Sequence, residues 1–205
     1  MKKSILSLIA IVLVVLGSAN FTYAAANSKD TSVTLSAIGA FSKIEAHGNV
    51  EVVVATGDNN AVTVNNNYYA ESELVQVEGG VLRISSYSTE KLFVYVTATN
   101  LQTIAAYDNA LVKSDGRLSL IDLQVDLYDN SYAGLNLDNY AATITVNDKA
   151  KADLTGNVEE YSLNYSHSST VNRSELVAEN AVEVVTTPYQ VAPKHKHHSV
   201  EAINS

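Results

Sequence analysis

Apolar and polar side chains alternate along most of the chain after Ile38. The segment "KIEAHGNVEVVV" at 43–54 has this alternation, as do "LFVYVTA" at 92–98 and the two runs that flank Gly79-Gly80. A period of two is the spacing of side chains on one face of a β-strand, and a Gly-Gly pair between two such runs indicates a β-hairpin. Helix-period segments with capping residues do not occur. The pattern predicts an all-β protein.

A repeat begins after Asn100, where "YDNA" at 107–110 is followed by "YDNS" at 128–131. When Asp108, Asp129 and Asp148 are aligned in one column, apolar residues recur four and two positions before it, and small residues recur two positions after it. His167 fits the column in a fourth copy, and Gly48 fits it in an earlier copy. The spacings from Asp108 to His167 are 21, 19 and 19 residues.

A repeat of about 20 residues with strand periodicity is typical of a solenoid. We therefore expect a parallel β-helix with coils of about 20 residues, preceded by N-terminal strands and the hairpin. The aspartates would lie at the corners of the coils, because Asp and Asn tolerate left-handed backbone and hydrogen-bond to nearby backbone groups. In the alternative arrangement their carboxylates point inward with the flanking apolar residues, and we favour the corner.

The two ends of the chain differ from this domain. Residues 1–24 have the pattern of a secretory signal peptide, in which Lys2 and Lys3 precede an apolar stretch and cleavage follows Ala24 or Ala26. Residues 25–37 are expected to be a linker, 38–186 one domain, and 187–205, with both prolines, a flexible tail. The protein is thus expected to reach the periplasm, the cell surface or the medium, with no transmembrane segment after cleavage.

Composition narrows the possible functions. The chain has no cysteine, so it has no disulfides and no lipid-modified cysteine. After signal cleavage it has 11 basic and 22 acidic residues, a formal net charge of −11, which disfavours nucleic acid and anionic lipid as partners. Common catalytic motifs are missing, and we predict no catalytic residue.

The repeated corners supply the candidate binding residues. These are Tyr107, Asp108, Asn109, Tyr128, Asp129, Asn130, Asp148 and His167. Stacked carboxylates could bind Ca²⁺ or act as the acid and base of a polysaccharide enzyme. Exposed turn residues are the simpler interpretation, because unit charges 4.8 Å apart repel by about 3.5 kcal/mol at an effective dielectric of 20.

Three further expectations concern the asparagine, tyrosine and histidine side chains. The amides of Asn109 and Asn130 would pair between coils, and stacked tyrosines suit contact with a glycan or a protein. In the tail, His195, His197 and His198 are a weak candidate site for a transition metal. No other cofactor is expected.

Three segments and the repeated corners resemble the head GIN domain family of "putative auto-transporter adhesins". The segments are "FSKIEAHGNVEVVVATG" at 41–57, "VQVEGGVLRIS" at 75–85 and "LFVYVTATNLQTI" at 92–104, and the resemblance covers residues 38–186. It implies a β-helical protein of the bacterial envelope or exterior, without a defined biochemical role.

These observations favour a non-enzymatic, secreted or envelope-associated β-solenoid that binds a glycan, an envelope polymer or another protein. One alternative is a polysaccharide-active enzyme that uses the aspartate column. The other is a structural module that assembles through its ends.

Overall fold

The computed structural model describes residues 32–35, 38–65 and 73–186, and this part of the chain is built from β-strands without any helix. The strands are β1 (Ser32–Leu35), β2 (Lys43–Gly48), β3 (Val50–Thr56), β4 (Ala61–Asn65), β5 (Glu73–Glu78), β6 (Val81–Ser86), β7 (Leu92–Ala98), β8 (Thr103–Ala106), β9 (Leu111–Leu127), β10 (Tyr132–Val146), β11 (Lys151–Ser166) and β12 (Thr170–Thr186). The prediction of an all-β protein is confirmed.

Two predicted end segments lie outside the described residues, namely the signal peptide at 1–24 and the tail at 187–205. The predicted linker at 25–37 lies partly inside them. Its residues 32–35 form β1, which pairs with β4 in antiparallel fashion. A strand therefore begins before the predicted start of the domain at 38, in the alternating segment "SVTL".

The four long strands of the second half lie side by side in parallel. β9 pairs with β10, β10 with β11, and β11 with β12. The register places Ile104 beside Val125, Val125 beside Ile144, and Ile144 beside Leu163. These are the columns that the repeat predicted, so equivalent residues of successive repeats pair with each other.

The unequal spacing of the repeat has a local cause. Between β9 and β10 the register shifts, because Lys113 pairs with Gly134 and Arg117 pairs with Asn136. β9 therefore contains two extra residues at this point, and the hydroxyl of Ser114 accepts a hydrogen bond of 2.9 Å from the Asn136 N–H. The insertion accounts for a spacing of 21 residues in one turn and 19 in the next.

The first half of the chain joins the same stack. β2 lies between β6 and β8, and β3 lies between β7 and β9, all in parallel pairs. Ile44 pairs with Ile104 and Val52 pairs with Val112, which confirms the earlier copy of the repeat around Gly48. β9 pairs with β3 near its start and with β8 near its end, so the twelve strands form one curled sheet.

Antiparallel strands border this sheet beside its first turns. β5 and β6 form the predicted hairpin, and both Gly79 and Gly80 have positive φ, 58° and 80°, as a two-residue hairpin turn requires. β4 pairs with β7 in antiparallel fashion and carries β1. At the opposite border, β12 pairs with β11 alone among the described strands.

The alternating apolar residues meet inside the curled sheet and form one core. Ile44, Ile104, Val125 and Ile144 are fully buried, and so are Leu118 and Leu137 from the middle of β9 and β10. Full burial of one such side chain stabilises the fold by about 1.5–3 kcal/mol. Because no cysteine is present, this packing and the strand hydrogen bonds hold the domain together.

Candidate functional site: an aromatic face beside an aspartate column

The aspartate column occupies left-handed backbone. The φ angles of Asp108, Asp129 and Asp148 are 58°, 57° and 52°, and Gly48, in the same column, has 78°. Each aspartate is the second residue of a tight turn, closed for Asp108 by a 3.0 Å bond from the Ala110 N–H to the Tyr107 carbonyl. The prediction of corner turns is confirmed, since the turn brings Asp108 out of the core while Ala106 and Ala110, two positions before and after it, stay buried.

Gly48 opens the column for a steric reason. A Cβ atom at this position would overlap the carbonyl oxygen of Ser86 in the neighbouring strand, and the backbone is also left-handed there. Glycine meets both requirements. In the later turns aspartate occupies the same left-handed conformation.

The aspartate side chains link successive turns of chain. Oδ2 of Asp108 accepts a 3.1 Å hydrogen bond from the Gly48 N–H, Oδ2 of Asp129 accepts one of 3.0 Å from the Asp108 N–H, and Oδ2 of Asp148 accepts one of 3.2 Å from the Asp129 N–H. Hydrogen bonds from amides to a carboxylate offset part of the repulsion between the stacked charges. Each carboxylate thus holds the backbone of the turn before it.

His167 keeps its place in the column but not the backbone conformation of the aspartates. Its flanking residues keep the register, because Leu163 lies beside Ile144 and Val171 beside Ala152. Yet His167 is not among the residues with positive φ, and the Asp148 carbonyl accepts hydrogen bonds from the hydroxyls of Ser166 and Ser168. Serine side chains therefore replace the carboxylate link in the last turn.

Next to the aspartates, three aromatic rings form a continuous stack. The rings of His47 and Tyr107 are parallel within 1° with centroids 4.4 Å apart, and those of Tyr107 and Tyr128 are parallel within 4° with centroids 4.9 Å apart. The strand register brings them together, since each ring belongs to the residue before the column. His47 was missed as a candidate, although the alignment of Gly48 with the aspartates already placed it beside Tyr107.

Two acidic residues, Glu45 and Asp126, lie in the column two positions before the rings. Glu45 lies two residues before His47 and pairs with Lys43 at 2.7 Å and Arg83 at 3.1 Å, and the hydrogen bond from Lys43 lowers the pKa of Glu45. Burial and the charge of Asp126 raise the pKa of Tyr128, so its phenol stays protonated. We call the outward side chains of Glu45, His47, Tyr107, Asp126 and Tyr128 the aromatic face.

The remaining candidates are not gathered into a site. Asn109 and Asn130 are exposed, and their amides make no hydrogen bond to each other within the described part of the chain, which contradicts the predicted pairing. They point into solvent from the third position of their turns. Over the same residues, no group of three His, Asp or Glu side chains is arranged to hold a metal ion. His195, His197 and His198 lie outside the described range.

Two further aromatic rings, on another strand, were also missed. Phe93 and Tyr95 project outward from β7 with 42% and 48% of their surface exposed. Their alternation with buried Val94 predicts an outward position, but nothing in the sequence distinguishes them from aromatic residues that cover a strand edge.

Two solved structures share the fold of this chain, and both come from Parabacteroides distasonis ATCC 8503. One is described as a "putative adhesin", with 18% identity and a TM-score of 0.55, and the other as a "Putative lipid binding protein", with 14% identity and a TM-score of 0.55. Each alignment covers 78% of this chain and 79% of the other. At these identities the likeness concerns the fold alone.

The family model described as "Putative auto-transporter adhesin, head GIN domain" matches residues 40–187. The chain belongs to this family, as its opening segment predicted. A search of curated proteins gave no match. Within the described residues, no helix is long and apolar enough to cross a membrane.

Proposed function

We propose that this protein is an exported, non-enzymatic binding module of the bacterial cell envelope, with a β-helical solenoid fold, and that it binds a polysaccharide through the aromatic face. The observation that carries this proposal is the stack of His47, Tyr107 and Tyr128 on an outer surface. Membership in an adhesin-like family supports a binding role.

The geometry of the stack favours a polymer with many hydroxyl groups. Each ring of the stack covers a face of its neighbour, so the middle ring, Tyr107, presents its edge and hydroxyl to solvent. Glu45 and Asp126 add carboxylate acceptors beside these phenols. Sugar hydroxyls are matched by such donors and acceptors.

The regular spacing supports an extended ligand. The rings belong to parallel strands of one sheet, and such strands lie about 4.8 Å apart. Similar groups therefore recur at short intervals along one line, on a support fixed by strand hydrogen bonds. A repeating polymer can contact several of them at once, which multiplies weak individual contacts.

The solenoid interpretation rests on the parallel pairing of successive turns. The offsets between paired residues are 21 and then 19, as from Val112 to Ala133 and from Ala133 to Ala152. The same kinds of residue recur in each column, and the sheet curls so that all inward columns meet in one core. These are the features of stacked coils.

A polysaccharide-active enzyme is less well supported. Its catalytic groups would be Asp108, Asp129 and Asp148, yet each of these accepts a backbone hydrogen bond through Oδ2 and adopts a φ angle that the turn requires. Their contacts therefore have a structural explanation.

The proposal is tested by binding of the purified protein to an array of envelope and host polysaccharides, followed by calorimetry with the strongest ligand. The double variant Tyr107→Ser/Tyr128→Ser removes two rings of the stack and is expected to weaken binding at least about tenfold, or 1.4 kcal/mol. The matched control is Phe93→Ser/Tyr95→Ser, which removes two aromatic rings from a different strand and should leave the affinity unchanged. Circular dichroism checks that both variants keep the fold.

Three results would contradict the proposal. The first is equal binding by the stack variant and the wild type, and the second is loss of binding in the control alone. The third is binding only to envelope proteins or to phosphatidylcholine vesicles. Vesicles are included because one structure of similar fold is described as a lipid-binding protein.

A further inference from the structure

The two borders of the sheet have different neighbours. Beside the first turns, antiparallel strands β4 and β5 flank the parallel stack. At the other border, β12 has β11 on one side and no described strand on the other. Half of the backbone amides of an edge strand point away from its partner, and such an edge readily pairs with a further strand. The outer edge of β12 is therefore a candidate surface for assembly.

β12 bends back on itself around an open cleft. Arg173 and Glu183 form an ion pair of 2.6 Å, although residues ten positions apart in a straight strand lie about 33 Å apart. The two residues therefore face each other from two arms of β12, the first at 170–174 and the second at 182–186. The cleft has a volume of about 280 Å³ and is lined by Leu163, Tyr165, Val171, Asn172, Arg173 and Glu183.

The last turn leaves part of the core uncovered. Val185 continues the column of Leu127 and Val146, which are fully buried, yet 41% of its own surface is exposed. Glu183 continues the column of the buried Leu163, so a charged side chain occupies a position that is apolar in the turn before. The end of a stacked core has to be covered, and a further strand on the edge of β12 would cover it.

The sequence of β12 is complementary to itself about Ala178. When two β12 strands are paired in antiparallel fashion about this residue, Arg173 of one copy lies opposite Glu183 of the other, because each is five residues from the centre. Val171 lies opposite Val185 in the same register. Opposite charges therefore meet across the pair, and apolar side chains of the two clefts come together.

This register also separates like charges. Glu175 lies opposite Ala181 of the second copy, and Glu179 lies opposite Val177. No glutamate of β12 then faces another glutamate directly, an arrangement that would be destabilising. One two-fold axis midway between the arms applies the register to both arms at once, because it places the first arm of each copy against the second arm of the other. Such an interface closes with two copies.

We propose that two copies of the chain associate end to end through β12, with the first arm of each paired in antiparallel fashion with the second arm of the other. In this dimer Arg173 lies between two glutamates, Glu183 of its own chain and Glu183 of the second copy, and the two clefts join into one covered core. The dimer does not depend on the polysaccharide ligand, because no residue of the aromatic face belongs to β12.

Charge exchange between the copies tests the register. Arg173→Glu and Glu183→Arg each place like charges opposite each other in a dimer of identical chains, so each variant alone is expected to have a dissociation constant raised at least about tenfold. In an equimolar mixture of the two variants opposite charges meet again, and the dissociation constant should return to within about threefold of the wild type. Light scattering over a dilution series measures the mass, and circular dichroism checks the fold.

Two further variants serve as controls. Arg173→Glu/Glu183→Arg keeps the ion pairs within and between the copies and should dimerise like the wild type. Arg117→Glu removes another exposed arginine, which pairs with Asp138 at 3.6 Å away from β12, and should leave the dissociation constant unchanged.

Three results would overturn the proposal. The first is a wild-type dissociation constant above about 1 mM, which would also be the result if another part of the same chain covers the edge. The second is a dimer that Arg173→Glu and Arg117→Glu weaken equally or not at all, since its interface would lie elsewhere. The third is a mixture of the two single variants that stays monomeric.

Discussion

Replacing Asp129 with alanine is expected to destabilise the domain by about 2 kcal/mol, although the side chain is exposed. The left-handed conformation, with φ of 57°, costs an ordinary L-residue about 1 kcal/mol or more. The lost hydrogen bond from the Asp108 N–H, 3.0 Å long, costs about 1 kcal/mol more. The two costs add because both concern the same turn.

A series of substitutions separates the two costs. Asp129→Gly keeps the backbone conformation and loses the hydrogen bond, so we expect about half of the alanine effect. Asp129→Asn keeps both the conformation and an acceptor oxygen and should resemble the wild type. At about 2–4 °C per kcal/mol for a domain of this size, the alanine variant should melt about 4–8 °C lower in circular dichroism. The control is Asn130→Ala, at the exposed neighbouring position, with a change below about 1 °C.

Two results would refute this reasoning. If Asp129→Ala and Asp129→Asn have the same melting temperature, neither the φ angle nor the hydrogen bond contributes to stability. Calcium provides the second check, because a structural column should not respond to it. A rise in melting temperature with millimolar Ca²⁺ that is absent from the triple variant Asp108→Asn/Asp129→Asn/Asp148→Asn would show that the column binds a cation, since a ligand of the native state stabilises it by mass action.

Two further predictions concern the core. Val125→Asp should abolish the melting transition because an unpaired charge enters the interior, whereas Ile121→Asp, at a position 82% exposed in the same strand, should change the melting temperature by less than about 2 °C. Tyr161→Phe should raise stability by about 1 kcal/mol in urea unfolding, because the Tyr161 hydroxyl is buried without a hydrogen-bond partner in the described part of the chain. Burial raises the pKa of Tyr161 from 10.0 to about 12, so the wild type loses stability as the pH rises from 10 toward 12. If the stability of Tyr161→Phe falls equally steeply over this pH range, Tyr161 is not the group responsible.

The columns of the repeat could be predicted because each turn of chain meets the same physical demand. An inward position next to equivalent inward positions has to be apolar, as at Ile104 and Val125, and a left-handed corner has to be Asp, Asn or Gly, as at Asp108 and Gly48. Each of these demands restricts the residue type at a single position, so it can be recognised in one sequence. The family resemblance relied mainly on the segments at 41–57, 75–85 and 92–104.

Other features arise from contacts that single residues do not encode. The two residues inserted near Gly116 interrupt the alternation of apolar and polar side chains. The sequence does not show at which residue β9 resumes its pairing with β10. The stack of His47 on Tyr107 joins strands that are about 60 residues apart, so the alignment of Gly48 with the aspartate column indicates it but the residues next to His47 do not. His167 kept its place in the alignment, but the serines beside it supply the hydrogen bonds that an aspartate provides elsewhere.

The pairing of β9 with both β3 and β8 has a mechanical consequence. A force applied at the C-terminal side detaches β12, β11 and β10 one after another. Once the outer strand has detached, each of these parallel strands is bound to the rest of the sheet through a single neighbour. Every release frees about one turn of 19 residues, or roughly 65 Å of extended chain. β9 is different, because its two ends are bound to two separate strands of the first half. Under a force applied from this side, the strands would therefore detach in steps of equal length, which single-molecule pulling would record. Unfolding would then stop at β9, and His47 and Tyr107 would stay in place.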